Sequence, residues 1–221
     1  MRSAILLLFV AFHSSLCAHV DLTSYDYCIK VLDGNYQLAW NIASDRISFA
    51  ARVKTAGWAG FGISPSSTGQ MMPNSDVVIG WGNSTDEFTD RLVPSTRVLP
   101  DLDSDVGGTD GNWKLTEYEN EDGYKTLVFW RLLDTGDANG DIVIQPPGNA
   151  TTNIIMAYGD VTNNTIIMRH RMSDRVGIGN FNFNAPFDSQ GVSECKSTSS
   201  GLPVMASFVG VCLMLLVFFV M

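Results

Sequence analysis

His170 stands between Met168 and Met172, with Arg169 and Arg171 interleaved. If 166–172 is a strand, Met168, His170 and Met172 share one face and the two arginines share the other. Far upstream, Met71 and Met72 follow Ser66-Ser67-Thr68-Gly69, a loop-forming run. A histidine nitrogen and a methionine sulfur form the axial pair of many electron-transfer haems. Taken alone, the same residues also fit a surface histidine and ordinary loop methionines. The chain has only three histidines, His13, His19 and His170. That excludes copper monooxygenase centres and His-rich zinc hydrolases, which need several imidazoles. A Ser-His-Asp triad would have to use His170 or His19, and no G-x-S-x-G elbow accompanies either. No catalytic constellation is present.

Two acidic loops have the composition of calcium ligands. Asp101-Leu102-Asp103-Ser104-Asp105 alternates carboxylates, and Asp134 to Asp141 holds Asp137, Asn139 and Asp141 near Gly140. Calcium takes six to eight oxygens. The first loop has Val106 where the helix–loop–helix calcium motif has glycine, and Asn112 where that motif has glutamate. Asp101, Asp103 and Asp137 are the candidate ligands, with solvated turns as the alternative.

The ends of the chain suggest its compartment. Residues 1–18 read as a secretory signal peptide: Arg2, a short apolar run over 4–12, then Leu16-Cys17-Ala18 for cleavage. Residues 202–221 carry no charge, and twenty helical residues reach about 30 Å, a bilayer's hydrocarbon thickness. Small residues precede that tail at 197–201, so residues 197–221 read as a GPI-attachment signal, or as a tail anchor. Either reading expects the extracellular face of the plasma membrane. Between the ends lies one expected domain over residues 19–196. It holds all 23 Asp and Glu of the 221-residue chain, whose net charge is −9. Such a balance argues against a nucleic-acid partner. Cys17 and Cys212 fall in the two ends, leaving Cys28 and Cys195 to pair in an oxidising compartment. Asn83, Asn149 and Asn163 are glycosylation sequons, expected on exposed loops.

The middle consists of short β-type runs. Strands are expected over 36–42, 46–53, 58–64, 77–81, 113–118, 125–132, 142–144, 154–158 and 165–171. Ile47, Phe49 and Ala51 alternate with Arg46, Ser48 and Arg52, the mark of a half-buried strand. Asp33-Gly34, Asp122-Gly123 and Asn139-Gly140 read as hairpin turns. No helical stripe of twelve or more residues occurs. Many short strands with frequent turns imply an all-β antiparallel sandwich or barrel. Trp58, Phe61 and Trp81 are assigned to its core.

Several motifs resemble the DOMON domain family. They are Gly57-Trp-Ala-Gly-Phe-Gly-Ile-Ser64, Gly69-Gln-Met-Met-Pro-Asn-Ser-Asp76 and Val77-Val-Ile-Gly-Trp81. Thr89-Asp90-Arg91, then Pro100, Asp101 and Asp103, continue the match. So do Phe129-Trp-Arg131-Leu-Leu-Asp-Thr-Gly-Asp137 and Ile154-Ile-Met-Ala-Tyr158-Gly159. The likeness runs from roughly Tyr36 to Phe183. It implies an immunoglobulin-like antiparallel β-sandwich. The family contains extracellular b-type cytochromes, as in cellobiose dehydrogenase and the plant auxin-induced GPI-anchored cytochromes. It also contains haem-free accessory modules, as in dopamine β-monooxygenase.

In the haem branch one ligand is a methionine in the loop before the Ser-Asp strand. The other is a histidine after the Trp-Ala-Tyr-like strand. The resemblance therefore implies haem ligation by Met72 and His170, with Met71 as the alternative to Met72. Pro73-Asn74 departs from the family pattern in that loop. The absence of a Cys-X-X-Cys-His motif makes the expected cofactor haem b. Arg169 or Arg171 would pair with its propionates, with a solvated strand face as the alternative. The expected role is a cell-surface electron carrier, not an enzyme, with a redox protein or a small-molecule reductant as partner. A haem-free ligand-binding or adhesion module, calcium-stabilised or not, is the competing expectation.

Overall fold

The computed structural model describes residues 20–67, 71–84, 86–95, 99–145, 148, 150–163, 166–184 and 193–195. The signal-peptide and tail segments, and Asn149, lie outside them. No helix among the described residues is long and apolar enough to cross a membrane.

The described residues form two antiparallel six-stranded sheets and a short two-stranded ribbon. Sheet I runs in the order β14 (Ser193–Glu194), β1 (Tyr27–Val31), β2 (Tyr36–Ile42), β3 (Arg46–Val53), β9 (Tyr124–Leu132), β8 (Lys114–Glu121). Sheet II runs β13 (Arg175–Phe181), β10 (Thr152–Gly159), β4 (Trp58–Ser64), β5 (Asp76–Gly80), β6 (Phe88–Leu92), β7 (Asp101–Leu102). A separate ribbon pairs β11 (Val161–Thr162) with β12 (Ile166–Ile167). The β-sandwich class read from the strand pattern is what the chain adopts.

Period-two alternation places the core. Leu38 and Trp40 of β2 and Ile47, Phe49 and Ala51 of β3 point inward. They meet Phe61 of β4 and Met156 of β10 from the other sheet. Phe49 and Phe61 pack across the interface with ring centroids 4.6 Å apart. The buried Trp40 indole donates to the Phe183 carbonyl at 3.0 Å, so its polar edge is satisfied.

The turns follow their chemistry in two of the three expected places. Asp33-Gly34 joins β1 to β2 and Asp122-Gly123 joins β8 to β9, all four residues with positive φ. That backbone suits the twist of a two-stranded hairpin. Asn139-Gly140 does not turn a hairpin; it lies in the loop after β9. Residues 142–144 form no strand either. Ile144 is buried, and its amide bonds to the Leu133 carbonyl alongside β9 without extending a ladder.

Cys28 and Cys195 form a disulfide across 167 residues of chain, beside the β1–β14 pairing. The bond implies an oxidising compartment. Replacing both cysteines with serine is expected to cost about 2–4 kcal/mol, because the unfolded chain regains the freedom of a very long loop. A lowered thermal midpoint would show this; an unchanged midpoint would mean that the β1–β14 pairing holds the termini unaided.

Candidate functional site

A sheet packed on one face ordinarily turns polar residues to solvent on the other. Sheet II does not. Trp58, Val77 and Ile79 form an apolar cluster on its outer face, joined by Val93, Ile155 and Ala157. Over that face lies a cavity of about 630 Å³. Its volume falls in the range of small-molecule and cofactor pockets. Three segments roof it: the loop carrying Met71 and Met72, Leu99-Pro100, and Ile167 to His170.

The methionine loop is held at several points. Ser64 Oγ and Ser75 Oγ both donate to the Met71 carbonyl, the latter at 2.6 Å. Ser75 N bonds to the Met72 carbonyl, with Pro73 and Asn74 between them and Asn74 at φ 58°. Pro then Asn with positive φ is the sequence of a type II turn. The Pro73-Asn74 departure from the family pattern is thus a tight turn leading into β5. The Met71 sulfur rests on Gly177 of β13, where an added Cβ would lie 2.5 Å from it. Met72 packs instead with Trp58, Val77 and Ile79. Both methionines line the cavity.

His170 reaches the same cavity by a different path from the one expected. The strand ends at Ile167, and residues 168–171 are irregular. The shared face of Met168, His170 and Met172 therefore does not form; Met172 is 73% exposed. What positions the segment is Trp58, which is buried in an apolar cluster and also forms part of the cavity wall. Its indole N–H donates to the Met168 carbonyl at 2.8 Å, and its ring meets the His170 ring edge-on at 6.2 Å. Phe61 touches both core and cavity. His170 Nδ1 lies 3.2 Å from the Arg171 carbonyl oxygen. A neutral ring donating there leaves Nε2 unprotonated and able to ligate. Burial holds the imidazole below its ordinary value of 6.5, which favours that neutral form.

Of the two candidate arginines, Arg169 lines the cavity and Arg171 does not. Arg175 does, and the sequence reading missed it. It opens β13, a glycine-rich strand with weak β signal. Asn83 and Asn163 sit in exposed positions, as their sequons require.

The acidic residues divide. Asp101 and Asp105 are exposed, while Asp103 turns inward at the start of a 3-10 turn. Asp137 accepts backbone N–H bonds from Thr109, Asn139 and Gly140. Against a small effect of burial, those donors hold its carboxyl below the usual range. Asp76, Asp90 and Asp141 cluster with Asp103 deep between the sheets.

A family model described as the DOMON domain matches residues 32–159, more than half of the chain. The chain belongs to the DOMON domain family. Within it, MOXD1 homolog 2 of Drosophila melanogaster is 30% identical over 135 residues, which are 61% of this chain and 16% of that protein. DBH-like monooxygenase protein 1 of Homo sapiens is 31% identical over 129 residues, 57% of this chain and 19% of that protein. This DOMON chain therefore spans less than a fifth of either relative's length.

Proposed function

We propose that this DOMON domain binds haem b in the cavity over sheet II and carries electrons at the extracellular face of the plasma membrane. One observation carries the reading: the only histidine among the described residues and two adjacent methionines, about a hundred positions apart in sequence, line a single apolar cavity. His170 Nε2 and the Met72 sulfur would hold the iron. Arg169 and Arg175 are the cations available to the propionates. Trp58, Ile79 and Ala157 supply an apolar wall.

Bound haem would supply a one-electron couple. Held by His170 and a methionine together, the iron would be left to exchange electrons and not to bind dioxygen. A thioether ligand raises the potential relative to a second imidazole. In this reading the domain is a carrier and not a catalyst; its partner is a redox protein or a small-molecule reductant, and the tail holds it to the membrane.

Titration of the purified protein with haemin tests the proposal. A saturable Soret band at one haem per chain is the expected result; a protein that stays colourless sinks it. Met72→Leu should convert a six-coordinate spectrum to a five-coordinate one and lower the midpoint potential, while Met71→Leu should leave both unchanged. The reverse pattern would make Met71 the ligand. A second reading is favoured by the name of one relative, DBH-like monooxygenase protein 1, which is not that of a cytochrome. In that reading the same cavity takes an apolar organic ligand, and no haem band develops.

A further inference from the structure

A second site lies between the sheets, at the end closed by residues 101–112 and 133–145. Asp76 of β5 and Arg131 of β9 form an ion pair across the two sheets, both fully buried. Trp113 Nε1 and the Ile142 amide also donate to the Asp76 carboxylate, at 2.8 and 3.1 Å. Arg131 approaches Asp141 at 3.5 Å as well. Its positive charge is then used up, and two more carboxylates remain. Asp103 is 0% exposed and Asp90 is 4% exposed. Neither Asp103 oxygen accepts a hydrogen bond, nor does Asp90 Oδ1 or Asp141 Oδ1. Arg131 thus meets two of the four carboxylates, and of the four buried oxygens that accept no hydrogen bond only Asp141 Oδ1 has the guanidinium near it.

Buried carboxylates whose lone pairs meet no donor are costly unless a cation meets them. We propose that Asp76, Asp90 and Asp141, with the unsatisfied Asp103 beside them, bind one hard divalent cation of the calcium type. Oxygen atoms of Asp76, Asp90 and Asp141 lie within 4.8 Å of one another. Two oxygens on a single calcium lie at most about 5 Å apart, twice the metal–oxygen distance. No nitrogen or sulfur donor belongs to this cluster, which selects against zinc and copper. The crowding of several anionic oxygens suits calcium better than magnesium, which keeps much of its water.

At Gly140 the backbone comes close against the cluster. A Cβ on Gly140 would sit 2.2 Å from Asp103 Oδ2 and 3.2 Å from Asp137 Oδ2. This is why Asn139-Gly140 serves the loop and not a hairpin. The site differs from an Asp101–Asp103–Asp137 set, because Asp101 is exposed and Asp137 is already bonded to backbone amides. Without a cation the cluster must hold protons. Burial first, then the neighbouring carboxylates, pushes Asp90 up to about 8 and Asp103 up to about 7.

The test uses protein from the full chain, stripped with EDTA and titrated with calcium chloride alone. It makes no use of haem, so its outcome is separate from that of the cytochrome reading. One calcium per chain is expected by equilibrium dialysis. The thermal midpoint should rise by about 5–10 °C at a hundredfold excess over Kd. Asp103→Asn and Gly140→Ala should each weaken binding by on the order of tenfold or more. In EDTA, the folded protein holds protons that the unfolded chain releases. Stability should therefore fall as pH rises from about 4 to about 8. The groups facing one another there are Asp76, Asp90, Asp103, Asp110, Asp137, Asp141 and Arg131. Calcium should flatten that slope. Magnesium acting equally well would overturn the calcium assignment. Wild-type protein that binds no divalent cation at millimolar concentration would overturn the site, whether or not the variants fold.

Discussion

His170→Ala is expected to abolish the Soret band of the haemin-loaded protein, with affinity falling more than about 100-fold. Removing a group that only orients a metal ligand already costs 10- to 100-fold, and His170 would be a ligand itself. The fold should survive, because His170 is half-buried on an irregular segment and contributes nothing to the inter-sheet core. Far-ultraviolet circular dichroism and the thermal midpoint of the haem-free variant should match those of the wild type. The pH dependence adds a second check. Burial holds the His170 imidazole below 6.5, so the neutral ring persists through neutral pH. Protonation competes with ligation only in acid, and haem retention should fall as pH drops below the ordinary histidine value. A variant that keeps a wild-type spectrum would mean that His170 is not the ligand. Trp58→Phe is the companion measurement. It keeps the ring but loses the bond to the Met168 carbonyl, so it should broaden or weaken the band without removing it.

Arg131→Met is expected to destabilise the fold by about 3–5 kcal/mol, the cost of leaving a buried charge uncompensated. For a domain of this size that is a fall of about 10 °C in thermal midpoint. Arg131 bridges the sheets through Asp76, reaches toward Asp141, donates to the Ile142 carbonyl and lies over the Trp113 ring at 4.9 Å. Removing it strands Asp76 among three other acids. The carboxyl of Asp76 is already pushed up to about 6 by burial, against the pull of Arg131. Loss of the guanidinium should drive it higher and make the variant more stable in acid than at neutral pH. The double variant Arg131→Met with Asp76→Asn should recover part of the loss, since no unpaired charge is then left on that pair. Equal midpoints for wild type and single variant would show that the pair contributes nothing beyond packing.

The legible parts of this molecule were those governed by neighbours in sequence. The strands at 36–42, 46–53 and 58–64 appear with the expected bounds. Their alternation and branched residues suit a pleated, half-buried surface, and that is a local property. β13 was missed because Arg-Val-Gly-Ile-Gly-Asn-Phe carries glycines that weaken a strand signal. Gly177 makes sense only once Met71 is seen lying on it. The extended strand expected through Met172 failed for the opposite reason. The pattern of 166–172 suits a strand, but the Trp58 indole and the Asp160 carbonyl tie the segment at Met168 and bend it over sheet II.

Residue types alone restricted the chemistry. Three histidines excluded multi-imidazole metal centres and two cysteines in the domain defined the disulfide, whereas the expectation of a methionine–histidine pair came from the family resemblance. Tertiary structure decided which of them meet. It put Arg175 at the cavity in place of Arg171 and made the buried Trp58 part of the cavity wall as well. It also drew Asp76, Asp90, Asp103 and Asp141 from four separate stretches into one buried cluster. The physical reason is that a sandwich pairs strands distant in sequence. Side chains fifty or a hundred residues apart become neighbours through register and sheet order, which no local pattern encodes.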